Sequence, residues 1–538
     1  MESDVRAPLL PSHEPPPKAW LAYLVDMEVA KTGRWFVDAL AKSFDFRKNA
    51  RDIFVRAPLA GAARLAPLDG VRALAFMWVS ADHAMKTIET DIGASSCVFL
   101  QRAVSEQTAS AWLCTFITYW ADFGVTLFFV LSGFLIVYIL VDMDRREEGG
   151  MSYPRFVARR FFRIWPSLNA YWLVSMPFFL YLVPQAQNWY AKYVKVCVNY
   201  GWTNLVFATN FGECIAYDLY TETDEYDDTG TCQDHLWTVS TEFQMYLVTP
   251  AFARLFLWRE DAGMLAAALA GVGATAWAFY NAKLQNVEGA DLNCYLKDTN
   301  SPLFRIGEYA MGLLCCMSYL SSRARGDEGR WRLLDVPFRR AHARFSAWWA
   351  RAAVGALVVA IIFGCVVVLT WGSVRWYGDR YWDMYMIAGA NGTYTPLHIA
   401  WAAVVALVIR VSLDPDLGTA VAWTLGASAL YPLASLSYTG YLFSYVPGGW
   451  AFDALEEATG CSRDVDSIAC WLSYYVLFFA FDLVLAFALS MLVERPLMRF
   501  GKLVTEVPRT PAAPEPTPRT DAPAPARPLR PTGADDMP

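Results

Sequence analysis

The sequence predicts an all-α protein, a polytopic membrane bundle of about ten transmembrane helices with both termini in the cytoplasm. Of its 538 residues, 55% are apolar and only 18% are charged, whereas soluble domains carry about a quarter charged residues. Ten apolar segments approach the roughly 20 residues that one bilayer crossing needs. The connections between these segments differ strongly in charge, which allows an orientation to be assigned.

The predicted crossings lie on mainly apolar stretches between polar connections. The ninth is the least regular, because residues 419–431 before it are also apolar and could form a re-entrant or interfacial piece. In chain order the ten segments are residues 70–88, 112–141, 161–183, 236–258, 263–281, 302–320, 348–371, 395–412, 432–449 and 470–493.

Arginine-rich connections indicate the cytoplasmic side. Residues 142–160 contain five arginines and residues 321–347 contain seven, whereas the connection 184–235 is acidic. Basic connections stay in the cytoplasm, so both termini should lie there. Eight cysteines then fall on or near the opposite, oxidising side, where several should form disulfides, with the pairing left open. They are Cys97, Cys114, Cys197, Cys214, Cys232, Cys294, Cys461 and Cys470.

The two ends differ from the membrane domain, which is predicted at residues 67–503. Residues 1–66 form a polar cytoplasmic segment with aromatic and basic residues between Trp20 and Lys42. That pattern is typical of an amphipathic helix lying on a membrane surface or packed on the protein itself. Residues 504–538 are rich in proline and alanine and are predicted to be a disordered cytoplasmic tail.

Ionisable side chains inside the crossings are the candidate functional residues, since burying a charge in a bilayer is costly. The alternative for each is structural, either an interhelical hydrogen bond or a snorkelling arginine that anchors a helix. Ser132 in the second crossing is interpreted as structural, because no nucleophile elbow surrounds it. The candidates are Arg72 and His83 on one face of the first crossing, Arg160 and Arg163 on one face of the third, and His235 and Glu242 at the start of the fourth.

Six stretches together resemble the acyltransferase 3 family of integral membrane O-acyltransferases, and they occur in the family's order. The resemblance spans residues 68–496. The stretches are Leu68-Asp69-Gly70-Val71-Arg72 with His83 eleven residues after Arg72, Phe128-Phe129-Val130-Leu131-Ser132-Gly133-Phe134-Leu135, Arg160-Phe161-Phe162-Arg163 before Pro166, His235-Leu236-Trp237 through Glu242 to Tyr246, Ser437-Tyr438-Thr439-Gly440-Tyr441-Leu442, and Glu494-Arg495-Pro496.

Some positions favour one branch of the family, and others depart from its pattern. The stretch 305–312, Arg-Ile-Gly-Glu-Tyr-Ala-Met-Gly, is similar to the eukaryotic, nose-resistant-to-fluoxetine-like branch. The departures are Asp82 where the family usually has Gly, Thr126 where it commonly has Asp, Phe243 where it has a second acidic residue, and Ser444 where it often has His.

The resemblance implies an enzyme that moves an acyl group, expected to be acetyl, from cytoplasmic acyl-CoA to a hydroxyl acceptor. Arg160 and Arg163 would bind the CoA phosphates, and His83 would be the general base. Arg72 or Glu242 would hold the imidazole, with His235 as a further catalytic candidate.

The acceptor would be a glycan, a lipid or a small molecule at the outer or lumenal face of the plasma membrane or an endomembrane. Membrane lipids are the other expected partners; neither nucleic acid nor a metal is expected, and the oligomeric state is left open. The alternative function is a transporter or lipid-moving protein that uses the same buried groups as a proton relay.

Overall fold

The computed structural model describes most of the predicted membrane domain. All regular secondary structure within the described residues is helical, which confirms the all-α class. Apart from isolated positions at 353, 357, 360, 361, 364 and 446, the described residues are 33–56, 65–92, 121–146, 152–182, 197–212, 214–215, 232–285, 300–324, 394–414, 419–444, 448–461 and 468–505.

The helices of seven or more residues are numbered here in chain order. Short helical turns at Trp202–Leu205, Thr209–Phe211 and Asp234–Leu236 precede the sixth of them. The numbered helices are α1 (Gly33–Ser43), α2 (Phe46–Phe54), α3 (Ala66–Ile92), α4 (Ala121–Arg146), α5 (Tyr153–Leu182), α6 (Trp237–Trp258), α7 (Glu260–Gln285), α8 (Pro302–Ala324), α9 (Tyr394–Ser412), α10 (Thr419–Leu425), α11 (Leu430–Phe443), α12 (Gly448–Thr459), α13 (Ile468–Leu489) and α14 (Arg495–Thr505).

Helices lie over nine of the ten predicted crossings, and the seventh, 348–371, falls almost entirely outside the described residues. Two described stretches, Phe123–Arg145 and Ala469–Thr505, are long and apolar enough to span a membrane, each with a mean hydropathy of 2.5 over its most apolar stretch. The first is mostly buried inside the protein and the second mostly exposed. Charged and polar residues interrupt the apolar runs of α3, α5 and α6, and the count of ten crossings stays a prediction.

Helix α4 is the centre of the bundle and packs against α3, α6, α8 and α9. Its closest approach is to α8, where Gly133 faces Tyr309 and Gly312, and Gly312 in turn faces Val130. A Cβ at either glycine would overlap backbone atoms of the other helix. Small residues at such a crossing allow helix backbones to touch, so the two glycines set the spacing of α4 and α8.

Helix α3 lies beside α4 and also packs against α10, α11, α12 and α13. Its buried face includes Ala73, Phe76, Ser80 and His83. Ser80 and His83 are therefore directed into the bundle, as expected for polar groups inside a membrane protein.

The N-terminal helices pack on the protein at the end where α14 lies. Helix α1 contacts α14, and α2 contacts α11. Asp52 in α2 forms an ion pair with Arg499 at 2.5 Å, and its carbonyl accepts a hydrogen bond from the Tyr431 hydroxyl at 3.1 Å. For α1 and α2 this supports the packed alternative of the sequence analysis. The segment around Trp20 lies outside the described residues, as does the predicted tail beyond residue 505.

The Glu494-Arg495-Pro496 motif marks the junction of α13 and α14. Pro496 has no N–H to donate to the preceding turn, and the chain forms a π-turn over Ser490–Glu494. Ser490 donates a hydrogen bond to Glu494 at 2.7 Å. Arg495 binds the hydroxyl of Ser435 in the neighbouring α11. The motif therefore joins α13 to α14 and attaches the junction to α11.

Two of the expected disulfides are present, Cys197–Cys232 and Cys461–Cys470. Cys214 is also disulfide-bonded. Cys97, Cys114 and Cys294 lie outside the described residues. The prediction that several of the eight cysteines are paired is thus confirmed, whereas the side of the membrane on which they lie stays a prediction.

Replacing Gly133 or Gly312 with alanine should destabilise the protein by about 1–3 kcal/mol, the usual cost of overpacking, because the added methyl group meets backbone that cannot rotate away. The matched control is Gly273→Ala in α7, where a Cβ meets no atom within 4 Å. Thermal unfolding of the purified variants in detergent measures the difference. Equal unfolding temperatures for all three variants would contradict a tight α4–α8 crossing.

The predicted orientation can be tested with the paired cysteines. A thiol reagent confined to the cytoplasm of intact cells should leave Cys197, Cys232, Cys461 and Cys470 unlabelled even after reduction, since all four are predicted to lie on the opposite side. Arg145→Cys, at the exposed end of α4, is the positive control and should be labelled. Labelling of the native cysteines from the cytoplasm would reverse the assigned topology.

Candidate active site

Three helices bring four predicted site residues into one group, which we name the arginine centre: Arg72, Arg160, Arg163 and Glu242. Arg72 and Arg160 each lie close enough to Arg163 and Glu242 to interact with them electrostatically. All four side chains are partly exposed. Three cations thus lie near one carboxylate, a composition that favours an anionic ligand.

Glu242 is held by two hydroxyl groups from different helices. Ser132 in α4 and Tyr246, one turn further along α6, both donate hydrogen bonds to its carboxylate. The Tyr246 ring also lies 5.7 Å from the Arg160 guanidinium, a cation–π distance. The carboxylate is therefore fixed in position facing the arginines.

His83 and His235 are also brought together, and with Tyr441 and Ser444 they form what we name the histidine centre. The His83 and His235 rings are 5.7 Å apart, and each lies within 6 Å of the Tyr441 ring. His83 Nδ1 is 2.5 Å from the hydroxyl oxygen of Ser444. His83 and His235 are each at most 6% exposed, so the centre is largely shielded from bulk water.

His235 is attached to the end of α11 by backbone contacts. Its Nε2 is 3.2 Å from the Leu442 carbonyl, which can only accept, so Nε2 carries a proton. The Tyr441 hydroxyl donates to the His235 carbonyl at 2.5 Å, and Thr238 donates to that hydroxyl at 2.8 Å. His235 is thereby committed to one tautomer and one orientation.

The two centres are neighbours in the bundle. Arg72 and His83 are eleven residues apart on one face of α3, about 16 Å by helix rise. On α4, Phe128 contacts the Tyr441 ring and Ser132, one turn away, binds Glu242. Helices α3 and α4 therefore both run from the arginine centre to the histidine centre.

The structure distributes the predicted roles differently from the sequence expectation. Arg72 or Glu242 was expected to hold the His83 imidazole; within the described residues, Glu242 is hydrogen-bonded to Ser132 and Tyr246 in the arginine centre. Arg72 likewise lies with the arginines. The catalytic roles of His83, Arg72, Glu242 and His235 stay predictions, as does phosphate binding by Arg160 and Arg163.

Two serines in the site were not identified from the sequence. Ser132 was interpreted as structural, yet it is hydrogen-bonded to the site carboxylate. Ser444 was noted only as a departure from the family pattern, yet it contacts His83 from 361 residues away. Serine is too common a residue to indicate a site by itself. The available indication was the position of each serine, within the stretch 128–135 for Ser132 and just after the stretch 437–442 for Ser444.

A buried ion pair lies beside Trp237, two residues after His235 in the chain. Arg305 and Glu308, 3% and 1% exposed, are 3.0 Å apart, and the Arg305 guanidinium lies 4.7 Å from the Trp237 ring. His398 Nδ1 is 2.8 Å from the Thr126 hydroxyl and 3.6 Å from Glu308. This group joins α4, α6, α8 and α9, and it gives Thr126, another departure from the family pattern, a structural contact.

In the part of the chain that the structure describes, no group of three His, Cys, Asp or Glu residues is arranged to hold a metal ion.

Comparison with known proteins agrees with the arrangement of these motifs. Peptidoglycan O-acetyltransferase OatA of Listeria monocytogenes serovar 1/2a is 26% identical over 153 residues, which are 28% of this chain and 22% of that protein. The match thus spans about a fifth of the relative's length. No solved structure matches this chain. The acyltransferase domain family matches residues 65–495, a range that contains both centres, and the chain therefore belongs to the acyltransferase 3 family of integral membrane proteins.

Proposed function

We propose that this protein transfers an acyl group, expected to be acetyl, from cytoplasmic acyl-CoA to a hydroxyl acceptor on the other side of the membrane. The observation that carries the proposal is the partly exposed arginine centre next to the enclosed histidine centre on α3 and α4. An acyl-CoA has a matching arrangement. Its anionic phosphates at one end suit the arginine centre, and its reactive thioester at the other end suits the histidine centre.

The donor would bind with its phosphates on Arg160 and Arg163. Guanidinium groups form charge-assisted, often bidentate hydrogen bonds with phosphate oxygens. Arg72 adds a third positive charge, and Glu242, held by Ser132 and Tyr246, offsets part of the repulsion between the arginines when no anion is bound. The pantetheine arm would then extend along α3 and carry the thioester toward His83.

In the transfer step His83 would act as general base. Its lone pair takes the proton of the acceptor hydroxyl while the hydroxyl oxygen attacks the thioester carbonyl. The bond between the carbonyl carbon and sulfur breaks, and the thiolate of CoA takes the proton back from the imidazolium. The products are the O-acyl ester and free CoA. The shielded surroundings strengthen the hydrogen bonds that guide this proton transfer.

The acceptor side of the proposal rests on the predicted topology and on the relative. With ten crossings and cytoplasmic termini, the histidine centre lies nearer the outer or lumenal face. OatA is named as an acetyltransferase for peptidoglycan, which supports a hydroxyl-bearing glycan as the acceptor class; lipids and small molecules carry the same group. The membrane would be the plasma membrane or an endomembrane.

Replacing both Arg160 and Arg163 with glutamine should weaken binding of acetyl-CoA by roughly tenfold to a hundredfold for each arginine. Each charge-assisted contact is worth about 1.5–3 kcal/mol. Calorimetric titration of the purified protein with acetyl-CoA measures the loss. The matched control replaces Arg145 and Arg259, which are exposed at the ends of α4 and α6. An equal loss in both double variants would mean that Arg160 and Arg163 only anchor α5.

Replacing His83 with alanine should lower the rate of acyl transfer by about 10²–10⁴, the usual contribution of a positioned base. Affinity for acetyl-CoA should change little, because the phosphates bind elsewhere. The wild-type rate should also fall as the pH drops into the range in which imidazole takes up a proton, since imidazolium cannot accept the hydroxyl proton.

The measurement is transfer of labelled acetyl from acetyl-CoA by purified protein, followed against pH. A His83→Ala variant with wild-type turnover and an unchanged pH profile would show that His83 is not the general base. Proton-coupled substrate movement without ester formation would instead favour the transporter alternative.

A further inference from the structure

Ser444 forms two contacts that together determine to which partner its hydroxyl group donates a hydrogen bond. It follows the last residue of α11 and is fully buried. Its Oγ is 2.8 Å from the Tyr441 carbonyl and 2.5 Å from His83 Nδ1. A hydroxyl has one proton to donate, so one of the two contacts must be made with the serine as acceptor.

The contact with the Tyr441 carbonyl shows in which of the two hydrogen bonds Ser444 is the acceptor. Tyr441 provides one of the last four carbonyls of α11, which have no donor within the helix. A carbonyl oxygen cannot donate, so the Ser444 proton must point to it; otherwise two acceptor oxygens would face each other at 2.8 Å. The remaining contact then requires His83 Nδ1 to carry a proton and donate it to Ser444 Oγ.

We propose that Ser444 is a positioning residue that holds His83 in its Nδ1–H tautomer, so that Nε2 is the atom that accepts the proton. The proposal deepens the function proposed above, because it names the reacting nitrogen of the base. The residue that orients a histidine commonly determines which of its nitrogens is basic. Here that residue stands where the family often has His, so the orientation depends on a feature of this chain.

The neighbours of His83 are consistent with this role. His235, which precedes α6, and Tyr441 in α11 are titratable groups whose rings face His83. His235 uses its Nε2 proton on the Leu442 carbonyl, and the Tyr441 hydroxyl donates to the His235 carbonyl. The donors of both residues are therefore directed to backbone oxygens, while Ser444 receives the donor of His83.

Nitrogen NMR of the full-length protein tests the tautomer directly. The chain contains five histidines, so the protein labelled with ¹⁵N-histidine gives a small set of ring signals, and the His83→Gln spectrum identifies those of His83. We expect a protonated Nδ1 and an unprotonated Nε2 for His83 near neutral pH. A protonated Nε2 in wild-type His83 would overturn the proposal. This measurement does not depend on whether a Ser444 variant folds.

Kinetics of Ser444 variants test the positioning role. Ser444→Ala should lower kcat about tenfold to a hundredfold, the usual effect of removing an orienting partner, with KM for acetyl-CoA unchanged. Ser444→Thr, which keeps the hydroxyl, should recover most of the rate. The matched control is Ser437→Ala, because Ser437 lies two turns earlier in α11 and makes the same hydrogen bond to the carbonyl three residues before it, at 2.9 Å.

The outcomes separate this inference from the function on which it rests. Equal losses in Ser444→Ala and Ser437→Ala would reduce Ser444 to a helix-end contact and overturn the proposal. A covalent acetyl group on Ser444 would make it a nucleophile and also overturn it. An Nδ1–H signal in a protein whose His83→Ala variant is fully active would support the tautomer and overturn the proposed base instead.

Discussion

The energetic cost of burying charge inside a membrane bundle is the constraint that determines where the charged side chains of this protein lie. Arg72, Arg160 and Arg163 extend from two helices toward a single carboxylate, Glu242, and all four remain partly exposed. Burying three cations with one anion would leave charge uncompensated, so the bundle has to stay accessible at this point. The anionic donor proposed above would supply compensating charge, and one constraint would then account for both the electrostatics and the ligand class.

The remaining architecture supports that point of access. Helix α4 sits at the centre because Gly133 and Gly312 allow it to touch α8, which leaves its other side for α3 and α6. From there Ser132 reaches Glu242 and Phe128 reaches Tyr441. The contact of His398 with Thr126 joins α9 to the same helix, and His398 also lies 3.6 Å from Glu308 of α8. Rigid surroundings of this kind keep a catalytic constellation in place.

The sequence predicted the helical class and most helix positions, because apolar runs are local properties. Motif spacing also indicated six candidate residues, whose roles stay predictions. It did not predict how those residues divide between two centres. Glu242 was one of two expected partners of His83, whereas the packing of α4 against α6 brings Glu242 to Ser132. The Ser444–His83 contact joins residues 361 positions apart, and no local pattern encodes it. Hydrogen-bond partners depend on packing, which spacing alone does not define.

The two histidines show that the hydrogen-bond partners of a side chain, more than its residue type, determine its chemical role in this site. A neutral imidazole offers one donor and one acceptor, and in a shielded site the donor must find an oxygen. The His235 donor is Nε2, directed to the Leu442 carbonyl, whereas the His83 donor is assigned to Nδ1, directed to Ser444. Rings 5.7 Å apart are thereby assigned opposite tautomers, and Nε2 of His83 is the acceptor in the proposed reaction. A site built in this way favours a ligand that brings a proton of its own, which is the property that a hydroxyl acceptor has and an ether or ester lacks.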